Sequence, residues 1–360
     1  MNQAIPGNAE DRAAGPPMPD VHAARHFTER LAEMQAVVCQ AFAIEARSGG
    51  NGVQPEHLSF ILDLQPYFGQ TLAAVFALGL QDLLLDEAAD LARICAGRGL
   101  NSPFLHRMLQ AWEIAIHAVL RTPDAGKLVR PLQWLDERVE PLFSVPRQDD
   151  PVLSPEQSEF LQALIENRSK DALAMARAAV KGRTIDHLID ALLMPVLEEI
   201  GRRWSDSSIS VADEHLSTGN LSKVANQLLG EYRTEPPRNK TVAITCVPGD
   251  AHALSAELLA GYLECRGWRP LFLGASMPQP DLVNTLLAAR PFAVAVSVRM
   301  TAFLPAFTEL AAAIRAVLPE ALLLAGGPPR LGPVLAERCD GAPSTFAQVN
   351  ALLDRGRRHA

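Results

Sequence analysis

The sequence predicts a multidomain chain in which two all-α regions precede an α/β domain built on a doubly wound parallel sheet. Three observations carry this. From about Phe27 to Tyr232 apolar residues recur at three- and four-residue steps, as in Phe27, Leu31, Met34, Val38 and Phe42, which places them on one face of a helix. After Lys240 the pattern changes to short apolar runs separated by amphipathic stretches; such runs are strands buried on both faces, each followed by a helix. Between the two lies Glu235-Pro236-Pro237-Arg238-Asn239-Lys240, a linker by composition.

Taken in order, residues 1–24 carry Pro6, Gly7, Gly15, Pro16, Pro17 and Pro19 among alanines and charges and are expected to form a disordered tail. An all-helical N-terminal domain follows over 25–142. It is broken at Gly49-Gly50-Asn51-Gly52, with further helices expected near 55–65, 68–80, 83–97 and 102–121. His106 and His117 share a helix face with Trp112 between them in sequence and fit a half-buried stripe better than a ligand site. Asp86, Glu87 and Asp90 fit a solvated helical face. No helix-turn-helix with a basic recognition helix is visible, so direct DNA binding is not expected.

Residues 143–154 form a linker that ends in a capping sequence, Ser154 with Gln157. A second helical region, 155–233, divides into helices at 155–166, 169–181, 184–204 and 211–231. Ser205-Asp206-Ser207-Ser208 separates the last two, and four amphipathic helices with short connections make a bundle. Pro195 should kink the third. In the last domain, 240–355, strands are expected at 241–247, 269–273, 292–298 and 321–325. Helices are expected at 251–266, 279–289 and 303–317, with weaker ones near 330–337 and 344–355. This is a flavodoxin-like (Rossmann-like) order of elements. The basic ending, Arg355-Gly356-Arg357-Arg358-His359, fits a solvated tail.

With 360 residues, 48% of them apolar, the chain can bury several cores. A net charge of -8 speaks against non-specific nucleic-acid binding, which depends on neutralising phosphates. Cys39, Cys95, Cys246, Cys265 and Cys339 show neither a Cys-x-x-Cys pair nor zinc spacing. They fit reduced thiols of a cytoplasmic protein. Met1 to Pro19 lacks the basic and apolar parts of a secretory signal. The most apolar run, Thr71 to Leu80, is too short to cross a bilayer.

The chemistry concentrates at Val247-Pro248-Gly249-Asp250-Ala251-His252-Ala253-Leu254-Ser255, between an apolar strand and a helix. Ligands of open α/β sheets bind at such strand-to-helix turns. An imidazole there can reach a metal through one ring nitrogen while Asp250 accepts a hydrogen bond from the other. Forty-one residues separate Ser255 from Ser297-Val298-Arg299, and twenty-six more lead to Gly326-Gly327. This pattern resembles the cobalamin-binding signature Asp-x-His-x-x-Gly, Ser-x-Leu and Gly-Gly. The resemblance implies a corrinoid bound base-off, with His252 as the lower axial ligand of cobalt. Ser297 would hydrogen-bond the nucleotide tail, and Gly326 and Gly327 would let backbone pass close to it. Two positions depart from the signature: Ser255 stands for its glycine and Arg299 for its leucine. Serine is small, and Arg299 adds a charge that needs a partner such as the ligand's phosphate.

Trp204, followed after nine residues by Glu214-His215, resembles the helical cap over the upper face of cobalamin in light-sensing cobalamin-dependent regulators and corrinoid methyl-transfer proteins. On its own a tryptophan at a helix end is an ordinary edge-of-core aromatic. The resemblance implies that Trp204 lies over the corrin and that Glu214 and His215 enclose the upper axial group. In the light-sensing regulators a histidine follows the tryptophan and ligates cobalt after illumination. Here that place is Ser205, a poor cobalt ligand.

The expected function is therefore a cobalamin-binding sensor or regulator, with adenosylcobalamin or methylcobalamin as cofactor. Its N-terminal helical domain would engage a regulatory protein partner, and an oligomer is compatible. No catalytic set is visible, so a binding role is expected over an enzymatic one. The alternatives are a corrinoid carrier in methyl transfer, a photocobilin-like photoreceptor or haem- or bilin-binding relative, and a binding module that has lost its ligand.

Overall fold

In the computed structural model the described residues are 15, 18–48, 54–144, 152–232 and 235–356. Most of the expected tail, the break at 49–52, the centre of the 143–154 linker and the end of the basic tail lie outside them. The chain divides into two compact units, essentially residues 1–149 and 150–360, with 205–207 assigned to the first.

The first unit is helical: α1 (Val21–Glu29), α2 (Leu31–Ser48), α3 (Leu58–Leu78), α4 (Gln81–Gly97), α5 (Ser102–Val119), α6 (Thr122–Asp136) and α7 (Val139–Ser144). Helix α1 begins inside the stretch expected to be a disordered tail. Asp20 caps it by accepting from the Ala23 N–H at 2.9 Å, and Ala23, Ala24 and Phe27 are buried. Helix α3 runs through Pro66 as one element where two were expected. An interior proline costs ~3 kcal/mol, but Ile61, Leu64, Phe68 and Leu72 form an apolar stripe buried on both sides of it. Each is worth ~1.5–3 kcal/mol, so burial wins.

At the centre of this unit Trp112 is fully buried. Its indole N–H donates to Gln65 Oε1 at 2.9 Å, and Gln65 Nε2 donates to the Ile61 carbonyl at 2.9 Å. The buried polar atoms are thus satisfied within the core. The stripe expected for His106 and His117 divides: His106 is half-buried, with Nδ1 2.7 Å from Asp136, whereas His117 is exposed. Glu87 does not lie on a solvated face. It is buried and accepts from the Tyr67 hydroxyl at 2.9 Å, because its helix turns that position inward.

The second unit starts with four helical stretches. These are α8 (Pro155–Ile165), α9 (Ser169–Ala179), α10 (Ile185–Leu188) continued by a π-turn (Ile189–Leu193) into α11 (Met194–Ser205), and α12 (Val211–Glu231). Ser154 and Gln157 form the expected capping box. Pro195 has no N–H to give the carbonyl four residues back. That carbonyl, on Ala191, accepts instead from Gln157 Nε2 at 2.8 Å. The wide turn just before Pro195 is how the helix accommodates the ring.

The sheet that follows has β1 (Thr241–Cys246), β2 (Arg269–Phe272), β3 (Ala293–Ser297) and β4 (Leu322–Gly326). They pair in parallel in the order β2-β1-β3-β4. Helices α13 (Leu254–Cys265), α14 (Gln279–Ala289), α15 (Leu304–Val317), α16 (Gly332–Ala336) and α17 (Phe346–Gly356) complete it. The outer edge of β4 is closed by a short chain segment, with Asp340 N bonded to Leu323 O and Ala325 N to Gly341 O at 2.8 and 3.1 Å. Bundle and sheet share one apolar core, from Phe160 and Leu164 through Leu221 and Leu228 to Leu258 and Tyr262. Helix α12 meets α13 so closely that a Cβ on Gly261 would stand 2.7 Å from Leu229. Among the described residues no helix is long and apolar enough to cross a membrane.

Candidate functional site

Register brings the site together. Cys246, Ser297 and Gly326, the last residues of β1, β3 and β4, are aligned across the sheet. All three strands therefore end along one edge, at the point where the connections from the central strands diverge to opposite sides. That crevice is the usual ligand position in such sheets.

The chain leaves β1 through Gly249, whose φ of +88° lies in the left-handed region that glycine tolerates best. Asp250, next in line, is fully buried. Its Oδ1 accepts from the His252 N–H at 3.0 Å and lies 2.6 Å from His252 Nδ1, and its Oδ2 accepts from the Arg299 N–H at 3.0 Å. Burial alone raises the pKa of this carboxyl. The His252 ring and the two backbone N–H groups outweigh it and hold the group below the ordinary carboxylate range. An ionised carboxylate can only accept, so Nδ1 is the ring nitrogen that donates to Asp250 and Nε2 is the one left for another partner. The imidazole is 57% exposed, which keeps that nitrogen reachable.

A cavity of about 170 Å³ at the same strand ends is lined by Ser255, Ser297, Arg299, Gly326 and Gly327, with Leu259 and Phe346 among its apolar lining; Asp250 and His252 are not among the residues that line it. The two glycines differ. A Cβ on Gly327 would meet the Val298 carbonyl oxygen at 2.2 Å, whereas one on Gly326 would find nothing nearer than the Pro343 oxygen at 3.8 Å. Gly327 is thus required by the packing of the protein itself. Gly326 leaves room that a ligand can take.

The bundle contributes Met194 and Glu198 to this cavity, two residues that sequence reasoning did not single out. They lie four apart on one helical face, immediately after the π-turn, and Pro195 was the available signal. Trp204, Glu214 and His215 do not line it. Trp204 is half-buried at the end of α11. On α12, Glu214 Oε2 lies 2.5 Å from the exposed His215 ring.

Residues 240–343 match a B12 binding domain family and residues 157–228 match a second B12 binding domain family. The chain thus carries a B12-binding module matched over residues 157–228 and 240–343. Over 134 residues it is 29% identical to the HTH-type transcriptional repressor CarH of Myxococcus xanthus, covering 37% of this chain and 44% of that protein. Over 149 residues it is 25% identical to the trimethylamine corrinoid protein of Methanosarcina barkeri, covering 40% of this chain and 65% of that one. The matched region thus covers 44% and 65% of the length of these two relatives, less than two thirds of either. The structure of the Methanosarcina barkeri monomethylamine corrinoid protein aligns over 54% of this chain and 96% of its own, with 16% identity and a TM-score of 0.45.

The residues of the B12-binding module fit a corrinoid. A metal needs a ring nitrogen that is not already engaged, which is Nε2 of His252, and a nucleotide tail needs the space that Gly326 leaves at the cavity. The cofactor class is cobalamin or a related corrinoid.

Proposed function

We propose that the protein is a cobalamin-dependent regulator that binds the corrinoid base-off, with His252 as the lower axial ligand. The observation that carries this is the Asp250–His252 pair, which engages Nδ1 and leaves Nε2 for cobalt, three residues before Ser255 on the wall of a cavity that Ser297, Arg299, Gly326 and Gly327 also line. When bound, cobalamin supplies a cobalt centre whose upper ligand can exchange. Asp250 fixes the imidazole tautomer and orientation. The Ser297 hydroxyl and the Arg299 guanidinium hold the polar tail, Arg299 opposite its phosphate. Trp204, Glu214 and His215 close the upper face, and the state of that face biases the bundle between two arrangements of different affinity.

The N-terminal helical unit, with its own aromatic core, is the part that would engage a regulatory protein partner in the cytoplasm. Ser205 makes a bis-histidine light cycle like that of the light-sensing regulators unsuited to this chain, so adenosylcobalamin would report ligand supply or use another upper ligand. The decisive experiment is the visible spectrum of the protein after incubation with adenosylcobalamin in the dark and desalting, repeated after green illumination. Retained base-off, histidine-ligated colour that His252→Ala abolishes supports the reading. Colour retained identically by that variant refutes the ligation.

A carrier of methyl groups is the second reading, favoured by the similarity to a trimethylamine corrinoid protein. Turnover of bound methylcobalamin with a methyltransferase partner would select it over the regulator.

A further inference from the structure

The N-terminal unit holds a cluster of metal-ligating side chains far in sequence from the B12-binding module. His22 and His26 lie four residues apart on α1, hence on one face, with ring centroids 4.1 Å apart. Opposite them Asp124, in the first turn of α6, places Oδ2 2.8 Å from His26 Nδ1 and 3.5 Å from His22 Nδ1. One donor atom from each of the three residues lies within 4.8 Å of the others. We propose that His22, His26 and Asp124 bind a divalent transition-metal ion, of which zinc is the best match.

Donors around tetrahedral zinc, at ~2.0–2.2 Å from the ion, stand about 3.4 Å from one another. The distances from Asp124 to the two rings bracket that value, so small side-chain rotations close the set around an ion. Two imidazoles and a carboxylate suit zinc and its first-row neighbours, whereas calcium and magnesium require oxygen donors throughout.

The surroundings orient the carboxylate. Lys127 Nζ lies 3.9 Å from Asp124 Oδ1, the oxygen turned away from the histidines, and 2.6 Å from Asp20 Oδ2. Asp20 in turn caps α1, so one chain of contacts sets both the helix and Oδ2. The Asp124 side chain is only 14% exposed while that of His22 is 64% exposed. The carboxylate is thus held and the solvent side stays open, leaving a fourth position for water. An ion here would tie α1 to α6 across 98 residues of sequence.

The test is equilibrium dialysis of the chelator-treated full chain, free of corrinoid, against micromolar zinc chloride, with bound zinc measured by elemental analysis. One zinc per chain is expected. Affinity should fall by at least roughly tenfold in His22→Gln/His26→Gln and in the near-isosteric Asp124→Asn, and stay unchanged in His252→Ala. Zinc should also raise the thermal midpoint of the wild-type chain and not that of the histidine double variant. Circular dichroism establishes that each variant is folded, and Asp124→Asn serves alone if the double variant is not. Absence of zinc uptake by the wild type, or uptake that survives these substitutions in folded protein, overturns the proposal and leaves the trio as a hydrogen-bonded helix contact.

Discussion

Asp250–His252 and Glu214–His215 are both acid–imidazole pairs, at 2.6 and 2.5 Å. They differ in what surrounds them. Asp250 is fully buried and accepts two backbone N–H bonds besides its contact with the ring, one of them from Arg299 on a different loop. Glu214 and His215 are neighbours on an exposed turn of α12, and the ring is 76% exposed. The first pair is held by the fold before any ligand arrives. The second would be ordered only by what binds, so under the proposed function the lower position is preorganised and the upper one adaptable.

Substitutions at the two pairs sharpen that contrast. The largest effect is expected for Asp250→Ala, which removes a fully buried carboxylate, leaves two backbone N–H groups without their acceptor and frees the imidazole. Urea unfolding should show a loss of about 3 kcal/mol, and corrinoid affinity should fall ~10–100-fold. The same carboxylate gives the wild type a pH signature. Its pKa is lower folded than unfolded, so its stabilisation is complete above the unfolded value of ~3.9 and is lost as pH falls through the folded value. Acid unfolding followed by fluorescence should therefore show a steeper loss in the wild type than in Asp250→Asn.

Next in size is the difference between the glycines. Gly327→Ala forces a Cβ against the Val298 carbonyl and should cost about 2 kcal/mol. Gly326→Ala should leave the unfolding midpoint nearly unchanged while reducing corrinoid retention, because its methyl group fills ligand space. Equal destabilisation by the two would break the distinction drawn between them.

His252→Ala should cost about 1 kcal/mol, because it takes one hydrogen-bond partner from the buried Asp250 carboxylate, and it should remove the histidine-ligated spectrum. The smallest effect belongs to Glu214→Gln, within ~0.5 kcal/mol of wild type by urea unfolding of the corrinoid-free protein. A large loss there would show the upper pair to be as built-in as the lower one.

Much of the C-terminal unit was legible in sequence. Strand and helix periods lay close to the observed elements, and the Asp-x-His turn named both members of the Asp250–His252 pair. The N-terminal region was less so. Glu87 followed the pattern of a solvated face, and only the packing of α4 turned it toward Tyr67. Pro66 suggested a boundary, which the buried stripe on either side overrode.

The chain by itself determined what contiguous residues can encode. Periodicity placed the helices and strands, glycine permitted the turn after β1, and the spacing of Asp250, His252, Ser255, Ser297, Gly326 and Gly327 marked the B12-binding module. The tertiary structure decided which distant side chains meet. It put Met194 and Glu198 at the cavity through a π-turn, gave Asp250 the Arg299 N–H, and set Asp124 against His22 and His26. Local pattern encodes which face of an element is buried. The partner of that face is chosen only when separate elements pack, and there burial and hydrogen bonding outweigh local preference.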